Sequence, residues 1–255
     1  KTALQFALSG ILLGLVMLGT CVAGSAHADT LTNLRTTLKG LESQAAIKGV
    51  LDVRSIVTNG KSDSSKPRSA HLQLDIHAGD GLSVNLSPAL LQQISAEQAA
   101  HAADPSHAAP TADLLSSIGP MQIEHMASAA PALLRTLEGA NSPIIKPTVL
   151  EGEPVQELSL NLPLQASKKE KSSVKDFQDK LLLWLNSKGV PQAYQETVHA
   201  KFCKFFLCVT VDNIHSGWLQ VIDGRLVTVK LTREQKQSGL GQDSDTRTVY
   251  NLHLQ

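Results

Sequence analysis

The chain has 255 residues, with 23 Lys and Arg against 23 Asp and Glu, so its formal charge is zero. That balance removes the long-range field that draws a protein to nucleic acid, and no nucleic-acid partner is expected. At 42% hydrophobic and 18% charged residues, the composition excludes a disordered chain and a bundle of membrane spans.

Residues 1–28 read as a targeting segment. Lys1 precedes an apolar stretch that runs to Leu18, and Ala26-His27-Ala28 puts small residues at the two positions a signal peptidase reads. The expectation is a signal peptide cut after Ala28, with residues 29–255 forming one domain in a periplasm or outside the cell. Two alternatives stay open. One is an uncleaved anchor, because the apolar stretch approaches spanning length. The other is lipidation at Cys21, which follows Leu18-Gly19-Thr20.

Residues 30–46 carry Leu31, Leu34, Leu38 and Leu41, the stripe of an amphipathic helix, with Asp29 or Thr30 to cap it. Residues 47–58 are β-rich. A polar loop, 59–68, follows. From Ala70 to His77 the pattern alternates, with Leu72, Leu74 and Ile76 on one face and His71, Gln73, Asp75 and His77 on the other. Leu82, Val84 and Leu86 continue as a third strand after the turn Gly79-Asp80-Gly81.

Ser87-Pro88 opens a helix to about Ala103, with Leu90, Leu91 and Ile94 apolar. A short helix is expected over 111–118, and a longer one over 121–138, kinked at Pro131. Residues 87–139 thus form a helical insertion. Strands are expected over 144–151, 155–164, 180–185, 190–200, 205–213, 217–222, 225–232 and 246–254. Residues 166–175 and 235–245 read as polar loops. Strands in runs with segregated helices predict an α+β fold built on a large, curved, unclosed antiparallel sheet, a half-barrel with an N-terminal helix and an inserted helical lid.

No motif points to a reaction. There is no G-x-S-x-G, no H-E-x-x-H and no G-x-G-x-x-G after a strand. Asn59-Gly60-Lys61-Ser62 lacks the first glycine of a phosphate loop, since position 55 is Ser. Asp75 with His71 and His77, and Glu97 with His101, Asp104 and His107, have metal-ligand spacing but also read as ordinary solvated faces, and no metal or other cofactor is expected. Lys168, Lys169 and Lys171 lie in a charged loop able to touch anionic headgroups at a membrane periphery. Cys203 and Cys208 are the two cysteines beyond the leader. On one extended strand they would sit roughly 16 Å apart, so a bridge between them needs a turn between or beside them.

Burying a Leu is worth about 1.5–3 kcal/mol, so the apolar strand faces must be covered. No aromatic residue lies between Asp29 and Asp176, and the covering helices are rich in Ala. Small side chains over a wide sheet leave room for a greasy void, with Met121 and Met126 able to adapt to its contents. The opposite expectation, a solidly filled core, stands beside it.

The order of elements resembles the periplasmic lipoprotein carriers of the LolA/LolB type. The parts that match are the helix at 30–46, the strands at 47–86, the insertion at 87–139 and the meander at 144–254. The hairpins Leu150-Glu151-Gly152-Glu153-Pro154-Val155 and Leu182 to Pro191 are similar to those of such sheets. Where members place an aromatic and a Gln in the first strand, this chain has Gly49-Val50-Leu51-Asp52-Val53-Arg54. The resemblance implies acyl chains held beneath helices on the open side of the sheet.

The expected function is therefore non-catalytic binding of an apolar ligand, such as a lipid or lipoprotein acyl chains. The expected lining is Leu72, Leu74, Ile76, Leu82, Val84, Met126, Leu133, Leu158, Leu160 and Leu162. A second reading is a periplasmic structural or protein-interaction module without a cavity, holding another envelope protein. A third, an enzyme, needs polar groups inside the concavity, such as Arg54 with Glu157 or a histidine.

Overall fold

The computed structural model of the protein describes residues 23–59, 68–79, 81–164, 173–204, 207–239 and 242–255. Residues 1–22 of the expected leader, with Cys21, and the loop lysines Lys168, Lys169 and Lys171 lie outside these residues, while residues 23–28 of it belong to the first helix. The chain begins with helix α1 (Ala23–Lys39) and strands β1 (Ile47–Asn59), β2 (Arg68–Ala78) and β3 (Leu82–Leu86). Four helices follow, α2 (Pro88–Ala103), α3 (Pro110–Ser117), α4 (Pro120–Ala127) and α5 (Ala129–Glu138). The rest is a meander of β4 (Asn141–Leu150), β5 (Glu153–Asn161), β6 (Val174–Leu185), β7 (Pro191–Lys204), β8 (Leu207–Ile222), β9 (Arg225–Gly239) and β10 (Gln242–Leu254).

All ten strands join one antiparallel sheet in the order β3-β2-β1-β10-β9-β8-β7-β6-β5-β4. Pairing of β1 with β10 brings the two ends of the fold together, and β3 and β4 remain as edges, so the sheet is open. The fold is α+β on an open, curved antiparallel sheet. Two of the turns that set its register have both central residues at positive φ, Glu151-Gly152 at 50° and 90° and Asp223-Gly224 at 49° and 77°. Such two-residue turns match the twist of paired strands, and glycine supplies the second position without a Cβ penalty. The exposed edge strand β4 carries Pro143 and Pro147, which cannot donate to another chain's strand.

Helices cover one face of the sheet, and two clusters fill the space between. Toward the β3 edge, Leu51, Val53, Leu72, Leu74 and Ile76 pack under Leu90, Ile94, Leu114, Ile123 and Met126 of α2, α3 and α4, with Ile118 just after α3. Toward the β4 edge, Leu158, Leu160, Leu181 and Leu183 pack under Leu31, Leu34 and Leu38 of α1 and Ala130, Leu133 and Leu137 of α5. Aliphatic side chains dominate both clusters. Tyr194 touches both, and so stands at the seam.

The structure departs from several expectations. Helix α1 spans Ala23–Lys39 and does not reach residue 46. Gly40 ends it, and the next segment is held on the sheet by the Leu226 amide, which donates to the Leu41 carbonyl at 3.1 Å. The expected helix over 121–138 is two helices broken at Ser128, not one kinked at Pro131. Pro131 sits in the first turn of α5, where no N–H is needed. Its ring would strike the carbonyl four residues back, at Ala127, where α4 ends. Residues 205–222 divide into two expected strands, yet from Leu207 they form one, with a bulge at Trp218/Leu219. The expected polar loop at 235–245 lies largely in the arms of the β9–β10 hairpin, where Gln235 pairs with Thr246 and Lys236 with Asp245. Those arms run beyond the helices, so both faces meet water and the apolar alternation that marks a strand is lost.

Candidate functional site

The site is built by register. Side chains directly opposite on neighbouring antiparallel strands share a face. Leu181 of β6 faces Glu196 of β7, Glu196 faces His215 of β8, and His215 faces Arg233 of β9. The row continues through Thr248 of β10 to Ser55 of β1, whose hydroxyls are buried and 3.0 Å apart. This polar row crosses the same face that carries the Leu clusters. Two residues along each strand, the adjoining row is Leu183, Tyr194, Gly217, Leu231 and Tyr250, apolar but for two phenols.

Helices α4 and α5 lie over the boundary between the rows. Gln122, His125 and Met126 of α4, and Ala129, Ala132, Leu133 and Thr136 of α5, each follow the three-and-four spacing of one helical face. Between that face and the sheet is a hollow of about 150 Å³, whose sheet side is Leu181, Tyr194, Glu196, His215, Thr228, Leu231 and Arg233. Arg233 Nη1 donates to Gln122 Oε1 at 3.2 Å and ties α4 to β9 across it. His215 Nδ1 stands 3.7 Å from Glu196 Oε2. Arg135 donates to His125 Nε2 at 2.9 Å, which fixes that nitrogen as an acceptor. Burial, and then the Arg135 charge, hold the His125 imidazole below its ordinary range. Burial pushes the Tyr194 phenol up to about 12, with Glu196 adding to the effect and Arg233 opposing it.

One row further out, Asp179 of β6 and Asn213 of β8 each have a buried side-chain oxygen, Oδ1, with no hydrogen-bond partner. Burial raises the Asp179 carboxyl to about 6, the Glu196 charge adds to that, and His215 works against it. The arrangement is an amphipathic slot. The helix wall has a strip of Met126, Ala129, Ala132 and Leu133 between Gln122, His125 and Thr136; the sheet wall offers a carboxylate, an imidazole and a guanidinium within one cross-strand row.

Of the ten expected lining residues, Met126 and Leu133 border this hollow. Leu72, Leu74 and Ile76 are packed in the first cluster, with Leu82 and Val84 against its edge. Leu158 and Leu160 are packed in the second, with Leu162 against its edge. Met121 is 66% exposed and does not line the hollow with Met126. The residues that composition and periodicity missed are Tyr194, Glu196, His215 and Arg233. Their one sequence signal is that Glu196 shares its alternation with Tyr194, and the register that makes a row of them is not written in any single strand.

The other candidates resolve into structural roles. Arg54 pairs with Asp52 at 3.1 Å and Glu157 with Lys146 at 3.0 Å, so Arg54 and Glu157 do not meet. Asp52 also bonds His71 Nε2 at 2.7 Å. Burial raises the Asp52 carboxyl, but the hydrogen bonds from His71 and Arg54 outweigh it and leave the group below its ordinary value. Glu97 accepts the backbone amides of Thr111 and Ala112 at 2.8 and 3.2 Å, and so caps α3 from a neighbouring helix. His101 binds the His107 carbonyl, and His107 pairs with Asp104. Among the described residues no group of three or more His, Cys, Asp or Glu is placed to hold a metal ion.

Cys203 and Cys208 form a disulfide, with Cα atoms 4.2 Å apart. They are directly opposite each other on the paired strands β7 and β8. Among the described residues no helix is long and apolar enough to cross a membrane. The chain matches no known family model and no curated protein.

Proposed function

We propose that the protein is an exported, non-catalytic binding protein that takes an apolar chain bearing a small polar group between its helices and sheet. A lipid or the acyl part of a lipoprotein has that chemistry. One observation carries the reading: the hollow under α4 and α5 has an apolar strip of Met126, Ala129, Ala132 and Leu133 on its helix side and Glu196, His215 and Arg233 on its sheet side. An apolar chain would lie along Met126, Ala129 and Leu133, and its polar group would reach the row. The resemblance to periplasmic lipoprotein carriers, the leader-like start and the disulfide are consistent with it.

Size limits what enters without movement. A hollow of about 150 Å³ has room for a benzene-sized group, whereas pockets for drug-sized ligands run to roughly 300–1,000 Å³. A whole acyl chain requires α4 or α5 to shift on the sheet, and the break at Ser128 separates those two helices. The filled clusters on both sides of the hollow favour the second reading, an envelope interaction module without a ligand. Native mass spectrometry of gently purified protein, with uptake of an apolar fluorescent probe, separates the two. Co-purified lipid or saturable uptake supports the carrier. Neither, together with crosslinks in cells to a protein, supports the module.

A further inference from the structure

The far end of the sheet carries an exposed apolar tip. Strand β7 ends and β8 begins with Phe202 opposite Val209, Cys203 opposite Cys208 and Lys204 opposite Leu207. Alternation puts Phe202, Lys204 and Leu207 on one face of the hairpin and Lys201 with the cysteines on the other. Phe202 is 40% exposed and Leu207 50%. Lys201 and Lys204 are exposed beside them. A large aromatic and a leucine held at a hairpin end are costly in water, and the disulfide ties the two strands together there.

Charge indicates what covers them. Lysines flanking apolar groups suit a bilayer surface, where the side chains enter the acyl boundary and the ammonium groups reach anionic headgroups. The register brings more positive charge to the same end. Val174, the first residue of β6, pairs with Phe202, and the Cys203 amide donates to the Ser173 carbonyl at 2.8 Å. Lys175, the next residue of β6, therefore starts beside the tip. Two acidic groups lie next to this end, Asp176 opposite Lys201 and Asp212 opposite His199, and the His199 ring stands between them, 3.7 Å from Asp176 and 2.6 Å from Asp212.

We propose that the β7–β8 tip is a docking point for anionic lipid bilayers, with Phe202 and Leu207 entering the interface and Lys201 and Lys204 contacting headgroups. This surface is separate from the hollow under α4 and α5 and does not depend on what binds there.

The test places a reporter at the tip of the full chain. The variants Phe202→Trp and Leu207→Trp are mixed with phosphatidylcholine vesicles bearing brominated acyl chains, with and without phosphatidylglycerol. The reporter reads the tip itself, whatever residues 1–28 do. The expected result is a blue shift and quenching with phosphatidylglycerol, beyond the background from Trp184 and Trp218 in the parent chain. In the same reporter chain, Lys201→Glu with Lys204→Glu should weaken the quenching affinity by roughly 30-fold, and raised salt should do the same. Circular dichroism and retention of the disulfide check that each variant is folded, and Lys201→Gln with Lys204→Gln is the milder substitute. A tip tryptophan that stays unquenched overturns the proposal. So does quenching that ignores lipid charge, or a tip shielded by a second copy or another protein. Failure here with probe uptake intact leaves the carrier reading standing.

Discussion

The ring of Tyr194 lies over Gly217, its directly opposite neighbour on β8, so closely that a Cβ at position 217 would overlap the ring carbons. An aromatic that covers a glycine across two strands restores the packing a side chain would have given. It also explains how one phenol touches both hydrophobic clusters. Gly217→Ala must displace the ring from the seam, and the expected cost is about 3 kcal/mol, at the upper end for overpacking. Urea denaturation should show a lower midpoint at an unchanged slope. Tyr194→Phe keeps the ring and should cost much less than Gly217→Ala.

Arg225 is the second position where a single change should tell. Its side chain is 2% exposed. It donates to the Ser43 carbonyl at 2.8 Å, the Ala78 carbonyl at 3.3 Å and Gln44 Oε1 at 3.3 Å. One guanidinium thereby fastens the segment after α1 and the end of β2 to the start of β9. Arg225→Ala leaves those acceptors without their donor and opens a gap, so the expected loss is about 3 kcal/mol. Arg225→Lys cannot span three acceptors with one ammonium and should recover only part. Amide exchange should quicken first at Leu226 and at Leu41, which are joined by a hydrogen bond beside it.

How much of this was legible depends on where the information sits. Leu72, Leu74 and Ile76 announce their strand because one face is buried and the other wet. The Asp223-Gly224 turn announces its hairpin because few residues tolerate those dihedrals. Residues 235–239 gave no such sign, because no helix covers that part of β9 and nothing apolar is required of it. Pro131 misled for a local reason: a proline three residues into a helix permits it, and the break it forces falls upstream, at Ser128. The candidate site was the least legible part. Glu196, His215 and Arg233 are each unremarkable in their own strands, and only the long-range register of β7, β8 and β9 sets them side by side.

Asp179 gives the protein a pH response with a definite sign. Burial, reinforced by Glu196, raises its carboxyl to about 6 from 3.8. The folded state therefore holds a proton that the unfolded chain has lost between those values. The stabilisation is complete below about pH 4 and is lost as pH rises through about 6. At pH 7.5 the charged group is a burden, and Asp179→Asn should stabilise the fold by about 1 kcal/mol, a figure reduced for the water that reaches this residue. The gain should vanish near pH 4. Asp52 and Glu97 act in the opposite sense, because their hydrogen-bond donors outweigh burial and hold them below the ordinary value. Their contribution is present above the ordinary carboxylate range and lost as pH falls through their lowered values. Asp52→Asn should flatten the acid limb of the stability profile while Asp179→Asn flattens the limb between pH 4 and 6. Thermal unfolding across pH 3 to 8 separates the two effects.

The hollow itself can be filled without disturbing the clusters beside it. Ala132 borders it from α5 and is partly exposed, so a longer side chain there has somewhere to go. Ala132→Leu adds three carbons to a space of about 150 Å³. It also exchanges one good helix former for another, so stability should change by less than about 0.5 kcal/mol. If an apolar ligand lies along Met126, Ala129 and Leu133, probe uptake in this variant should fall by about tenfold or more, the loss of roughly 1.4 kcal/mol of contact. Arg233→Gln changes the other wall. It removes the charge while keeping an amide to meet Gln122. It should weaken an anionic amphiphile and leave a neutral apolar probe nearly unaffected. A fluorescence titration with both probe types on both variants assigns each wall its part. Equal binding of both probes by both variants would remove the hollow from the function altogether.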